Sequence, residues 1–318
     1  MKHTDFIQAL STDDLDAIRA APKTDIHCHA FLSTRLKNLE HWLGFSLTRP
    51  PRKMRGLEEM MEYVITVLAP HQKSREGFEF VSTSGINDAI QDGVVGLEMS
   101  FDIMMTRFYA DGLVGVKAFI EVLVERYRPK INLRPELGFA RECADDQEWM
   151  ELAHEAIELG VFKSIDLYSH QEACPPEAVK SLYAKARAAG MKLKAHVGEF
   201  GGAEEVRRTV EVLDLDEVQH GIGAAESVEI MQWLSKNRIQ LNVCPTSNVM
   251  LGGVEDLAWH PIRILFDNGV PVTINTDDLM IFGQSVSEEY RNLYQASVFS
   301  AQELEDIRRS SLTSIGME

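Results

Sequence analysis

Residues 191–223 read MKLKAHVGEFGGAEEVRRTVEVLDLDEVQHGIG. The short apolar run Leu193–His196 has strand character and ends in an imidazole. Ala203–Leu213 then has a helical repeat of apolar and charged positions, and Glu217–His220 is a second short strand that ends in another imidazole. Strand, helix and strand in this order make a βαβ unit with parallel strands, which brings both histidines to the carboxyl end of one sheet.

The same alternation extends in both directions. Further strand candidates are Thr24–His29, Val94–Phe101, Ile131–Phe139, Val161–Leu167, Ile239–Val243 and Val270–Asn275. Helical patterns lie between them at Gly112–Tyr127, Asp145–Leu159, Pro176–Ala189, Ala225–Lys236 and Ile262–Asn268. Several end at Gly160, Gly190, Asn237 or Gly269, residues that tolerate the left-handed cap conformation. Eight strands with helices between them predict an α/β fold, a (β/α)8 TIM barrel, formed by residues 1–318 as a single domain. An open doubly wound sheet is the competitor, but no Gly-x-Gly-x-x-Gly follows the first strand.

The spacing is irregular only between the first two strands. Residues 31–93 hold helical patterns at Leu36–Leu43, Glu58–Leu68 and Ser74–Gln91, interrupted at Pro50-Pro51. In a barrel this insertion after strand 1 falls on the carboxyl-terminal rim, where it can act as a lid.

Composition narrows the function classes. The chain has 318 residues, 32 Lys+Arg, 49 Asp+Glu, a formal net charge of −17 and a 45% hydrophobic fraction. Such a chain fills a sizeable core, and its acidity disfavours nucleic acid and anionic lipid as partners. Cys28, Cys143, Cys174 and Cys244 are far apart with no Cys-x-x-Cys pair, which reads as reduced thiols. Met1–Ala20 has no signal-peptide pattern and no apolar run approaches about 18 residues, so the expected location is cytoplasmic. Nothing in the sequence sets the oligomeric state.

Four polar clusters fall at strand exits. His27-x-His29 closes the first strand, and residues two apart on a strand share a face. His196-Val197-Gly198-Glu199 leaves the fifth strand, where Gly198 lets the backbone turn and Glu199 look back into the mouth. His220-Gly221 ends the sixth, and Asn275-Thr276-Asp277-Asp278 ends the eighth. Taken singly, each cluster also fits a structural role: packed imidazoles at strand ends, or a helix N-cap supplied by Thr276 or either Asp. Together they occupy the rim where barrel active sites lie. Three His and one Asp make a nitrogen-and-oxygen ligand set suited to Zn²⁺ with an open position for water.

With these residues in view, the chain resembles the adenosine deaminase family of the metal-dependent amidohydrolase superfamily. The resemblance rests on His27-Cys28-His29, Lys194-Ala195-His196-Val197-Gly198-Glu199, His220-Gly221, Asn242-Val243-Cys244-Pro245-Thr246-Ser247-Asn248 and Asn275-Thr276-Asp277-Asp278, in that order. It implies a barrel, one zinc per chain, and hydrolytic deamination of an aminopurine (adenosine, adenine or a modified analogue) to the oxo product and ammonia. Carried over by position, it makes His27, His29, His196 and Asp277 the metal ligands. Glu199, His220 and Asp278 become the catalytic groups, acting on water and a small aminopurine-like substrate.

Two stretches depart from the family. Phe31 stands where nucleoside deaminases usually carry an acidic residue for a ribose hydroxyl, and Asp166–Glu172 carries bulkier groups where a small residue usually meets the purine. Phe31, Ser169, Gly198 and Asp278 are thus the candidate substrate contacts, with Arg35, Lys37, Tyr168 and His170 as candidates for a different substrate tail. Alternatives are a deaminase of another aminated heterocycle and a PHP-type metal phosphoesterase, which Asp25-Ile26-His27-Cys28-His29 also resembles. A non-catalytic barrel is a third, which the presence of Glu199 beside four ligand-type residues disfavours.

Overall fold

In the computed structural model, which describes residues 5–317, eight parallel strands form one sheet in sequence order. They are β1 (Lys23–His29), β2 (Val94–Asp102), β3 (Asn132–Ala140), β4 (Ser164–Tyr168), β5 (Lys192–Val197), β6 (Glu217–His220), β7 (Gln240–Val243) and β8 (Val272–Ile274). The barrel closes just beyond β8, where the Asp277 N–H donates to the His27 carbonyl at 3.0 Å and Cys28 bridges Asp277. The seam therefore lies at the carboxyl end, between two of the four polar clusters.

Strand boundaries shift where the backbone requires it. The eighth strand was expected from Val270 but begins at Val272, because Pro271 has no N–H to offer a ladder and contributes only its carbonyl, to Leu241 N–H at 2.9 Å. The fourth begins at Ser164 rather than Val161. The helical stretch expected over Pro176–Ala189 divides into a 3₁₀ turn, Pro176–Val179, and a helix, Lys180–Ala188.

Strand β5 shows how a barrel wall divides its side chains. Leu193, Ala195 and Val197 point outward into the layer beneath the helices and are at most 1% exposed. Lys192, Lys194 and His196 share the other face. Inside the barrel, the fully buried Lys194 ammonium meets Glu98, Glu136 at 2.9 Å and Glu217 at 3.6 Å. Losing Lys194 would leave the buried Glu136 carboxylate without a counter-charge, a loss of about 3–5 kcal/mol.

Residues between β1 and β2 form helices Leu36–Leu43, Leu57–Tyr63, Ala69–Gln72 and Arg75–Gln91, with a π turn at Val64–Leu68. They enclose a second apolar cluster in which Leu39, Met60, Leu68 and Val81 meet Leu251, Met280, Ile281 and Phe282. The last four follow β7 and β8, so the insertion is anchored on the rim.

Helices outside the expected set include Phe6–Ser11, Leu15–Ala20, Val286–Gln295 and Ala301–Ser314. Phe6 packs edge-on against Tyr290 with ring centroids 5.4 Å apart, and Thr24 hydrogen-bonds Ser311 at the start of β1. The last of these helices opens on a capping box of Ser300 and Glu303, a sequence signal that was there to read. No helix among the described residues is long and apolar enough to cross a membrane.

Candidate metal centre and active site

The ligand atoms of His27, His29, His196 and Asp277 all lie within 4.8 Å of one another. His27 Nε2 is 3.0 Å from His196 Nε2 and 3.6 Å from Asp277 Oδ1, and His29 Nε2 is 3.3 Å from Asp277 Oδ1. Tetrahedral zinc ligands at 2.0–2.1 Å from the metal stand roughly 3.3 Å apart, so the spacing suits one small cation.

The surrounding hydrogen bonds leave the inner nitrogens of His27 and His196 unprotonated. His27 Nδ1 faces the Asn242 carbonyl at 3.1 Å, and His196 Nδ1 faces Asp166 Oδ1 at 3.1 Å. Neither oxygen can donate, so each imidazole donates there and a neutral ring keeps its lone pair on Nε2. Burial and then the neighbouring His220 hold His27 neutral, well below its usual pKa. Two nitrogen lone pairs 3.0 Å apart in a buried site repel unless a cation sits between them. The donor set therefore fits a divalent metal.

Local backbone distortion aims these groups. β1 carries a bulge between Asp25 and Cys28, around His27. His220 and Asp277 adopt left-handed conformations, with φ of 64° and 59°, that non-glycine residues rarely take. Each ends a run of alternating side chains, and the reversal turns the chain out of the barrel wall. Gly198 does the same after β5 with φ of 70°; a Cβ there would lie 2.3 Å from Val206 Cγ2.

Beside the metal cluster stand three more polar groups. His220 Nε2 is 3.7 Å from Glu199 Oε2 and 3.8 Å from Asp277 Oδ2. Burial lowers the His220 pKa to about 3, so this ring is neutral. Burial, followed by the charges of Asp277 and Asp278, pushes the Glu199 carboxyl well above its usual range. Asp278 is raised to about 8 by burial and by Asp277. Asp277 itself stays ionised: burial opposes this, but the hydrogen bond with His29 holds its pKa well down. Glu199 Oε1 and Asp278 Oδ1 are buried and have no hydrogen-bond partner. Asp278 sits at the N-cap of helix Leu279–Phe282, yet its side chain makes no capping bond. Two protonated or proton-sharing carboxyls with free oxygens beside a cation site can donate to and hold a polar heterocycle.

The remaining candidates divide. Phe31 is half-buried and packs between the main core and the insertion's cluster. Tyr168 lies against His29, with centroids 5.4 Å apart, and donates to Asp102. Ser169 has φ of 78°, a conformation glycine takes most freely, but its hydroxyl turns to Glu142 at 2.8 Å. The Gly198 N–H is engaged by Gln171 Oε1 at 3.2 Å. His170 lies beside Glu142, and Arg35 is held by Glu288 at 2.6 Å, so neither meets the metal cluster. Lys37 is exposed.

Reading the sequence missed the supports. Asp166 left a signal, since a carboxylate between Ile165 and Leu167 in a strand requires a partner. Asn242 and Asn248 were part of the quoted motif without a role, and His260, a lone histidine in a loop, gave none.

The family model described as adenosine deaminase matches residues 48–316. A protein of Treponema pallidum (strain Nichols), named "Putative adenosine/adenine deaminase", is 39% identical over 277 residues, covering 86% of this chain and 92% of that one. Among solved structures, adenine deaminase from Arthrobacter aurescens superposes with a TM-score of 0.78 at 24% identity, covering 94% and 95% of the two chains. An amidohydrolase from Burkholderia ambifaria with bound Zn gives 0.76 at 21%, covering 98% and 88%. The barrel, the polar rim and these matches converge: the chain belongs to the adenosine deaminase family of the amidohydrolase superfamily, hydrolases that act on C–N bonds.

Proposed function

We propose that this protein is a zinc-dependent hydrolytic deaminase of aminopurines, with one Zn²⁺ held by His27, His29, His196 and Asp277. The observation that carries this reading is the pair of buried, partnerless carboxyl oxygens, Glu199 Oε1 and Asp278 Oδ1, beside the histidine cluster. Family membership makes it a metal-dependent aminohydrolase; these two groups supply what an aminated ring requires.

Held by these four residues, Zn²⁺ would supply Lewis acidity, lowering the pKa of a water in the site towards about 7. Asp277 and His220 orient the water and manage its proton. Attack at the amino-bearing carbon builds negative charge on the adjacent ring nitrogen, and protonated Glu199 donates there. Asp278, with its pKa raised to about 8, carries the proton that a second ring nitrogen accepts. The amino group departs as ammonia. Residues 31–93 form the rim lid, and Phe31 packs against the substrate where a sugar-binding acid would otherwise stand.

A ribose then contributes little to recognition, and adenine and base-like analogues are favoured over adenosine. The test is ammonia release by the zinc-loaded protein from adenine, adenosine and tail-modified aminopurines, with metal content measured in parallel. No ammonia from any of these would overturn the deaminase reading. Preference for adenosine over adenine by about a hundredfold, the scale of a recognised hydroxyl, would overturn the role given to Phe31.

A further inference from the structure

Behind His220 runs a chain of polar contacts that the chemistry above does not use. His260 is 1% exposed and follows the 3₁₀ turn Leu257–Trp259. Its Nδ1 accepts the Ile262 backbone N–H at 3.1 Å. A backbone amide only donates, so this ring nitrogen carries a lone pair. Burial lowers the His260 pKa to about 3, which keeps the ring neutral and its single proton on Nε2. That Nε2–H meets Asn248 Oδ1 at 3.2 Å.

The Asn248 amide is thereby fixed with its oxygen towards His260. Its Nδ2 faces His220 Nδ1 at 3.1 Å, and an amide NH₂ has no lone pair to offer. His220 Nδ1 is consequently the acceptor, and the ring proton resides on Nε2, the atom turned towards Glu199 and Asp277. One backbone amide thus sets the polarity of three successive side chains.

We propose that His260 and Asn248 are positioning residues that lock His220 as its Nε2–H tautomer, so that it faces the reacting water as a hydrogen-bond donor while Asp277 receives the proton. The catalytic consequence rests on the deaminase reading; the tautomer is a property of the resting protein and stands apart from it.

Histidine ¹⁵N NMR of the zinc-loaded protein reads the tautomer directly, with the His220 signals assigned by their loss in His220→Asn. The parent protein is expected to show a protonated Nε2 and an unprotonated Nδ1. In Asn248→Asp, an acceptor-only group of the same shape replaces the donor, so Nδ1 of His220 gains a proton. Turnover falls about a hundredfold, the scale for a misdirected donor, with KM little changed. His260→Gln keeps a donor towards Asn248 and preserves both the tautomer and turnover; His260→Leu loses it and impairs both. A protonated Nδ1 in the parent, or the same His220 signals in parent and Asn248→Asp, would overturn the proposal, as would equal behaviour of the two His260 variants. Absence of deamination with the expected signals in place would instead sink only the functional reading.

Discussion

Replacing Glu199 by Gln tests the proposed proton donation apart from the packing and polarity of this side chain. The parent carboxyl is pushed well above its usual pKa by burial and by Asp277 and Asp278, which favours its neutral form. Gln is neutral and nearly the same shape, so the swap leaves the charge balance of the site unchanged. Oε1 has no partner to lose, and the contact with His220 Nε2 is long, at 3.7 Å. The fold and the metal cluster are therefore expected to survive, with zinc content and thermal midpoint close to the parent. Only the proton for the ring nitrogen is missing. A lost general acid costs about 10²–10⁴ in rate, equivalent to roughly 2.7–5.5 kcal/mol of barrier. Steady-state ammonia release by zinc-replete parent and variant measures this. The sign with pH follows from the proposed role: Glu199 would donate while protonated, so the parent rate is expected to decline as pH rises through its elevated pKa, and the variant to lack that limb. Turnover within tenfold of the parent at full zinc content would refute the assignment.

Three further outcomes follow from individual contacts. Asp166→Asn removes the carboxylate that orients His196 and should weaken zinc affinity about 10–100-fold in a competitive chelator titration; unchanged affinity would dismiss Asp166 as a support. Gly198→Ala places a Cβ at 2.3 Å from Val206 Cγ2 on a backbone with φ of 70° and should cost about 1–3 kcal/mol in denaturant unfolding; a neutral result would mean that the turn is plastic. Glu289 is buried, with Oε2 unpaired and its pKa raised to about 8. A carboxyl whose folded pKa is raised stabilises the fold less as pH climbs from its unfolded value through about 8. Glu289→Gln should therefore gain in thermal midpoint relative to the parent between pH 5 and pH 9, and a constant difference across that range would reject the shift.

Much of the site was legible because barrel geometry turns a one-dimensional signal into a place. A strand that ends in His, followed by a helix and another strand that ends in His, sets both side chains on one rim whatever lies between. His27, His29, His196, His220 and the Asp277-Asp278 pair all occupy strand exits, and the structure gathers them there. Glu199 was legible for the same reason, with Gly198 supplying the turn. Strand ends were less legible at Val270, where the proline that follows removes a donor whose absence propensity alone does not weigh.

The sequence by itself determined the α/β alternation, the parallel barrel and the identity of the groups at its mouth, since periodicity and strand-exit position are local properties that survive any rearrangement of loops. Only the tertiary structure decided which proton each group carries. The lone pairs of His27 and His196 follow from the Asn242 carbonyl and Asp166, the elevated Glu199 and Asp278 follow from burial beside Asp277, and the polarity of His220 follows from His260, 40 residues away. Protonation depends on distance, burial and the direction of neighbouring donors, and none of these exists until the chain has closed on itself.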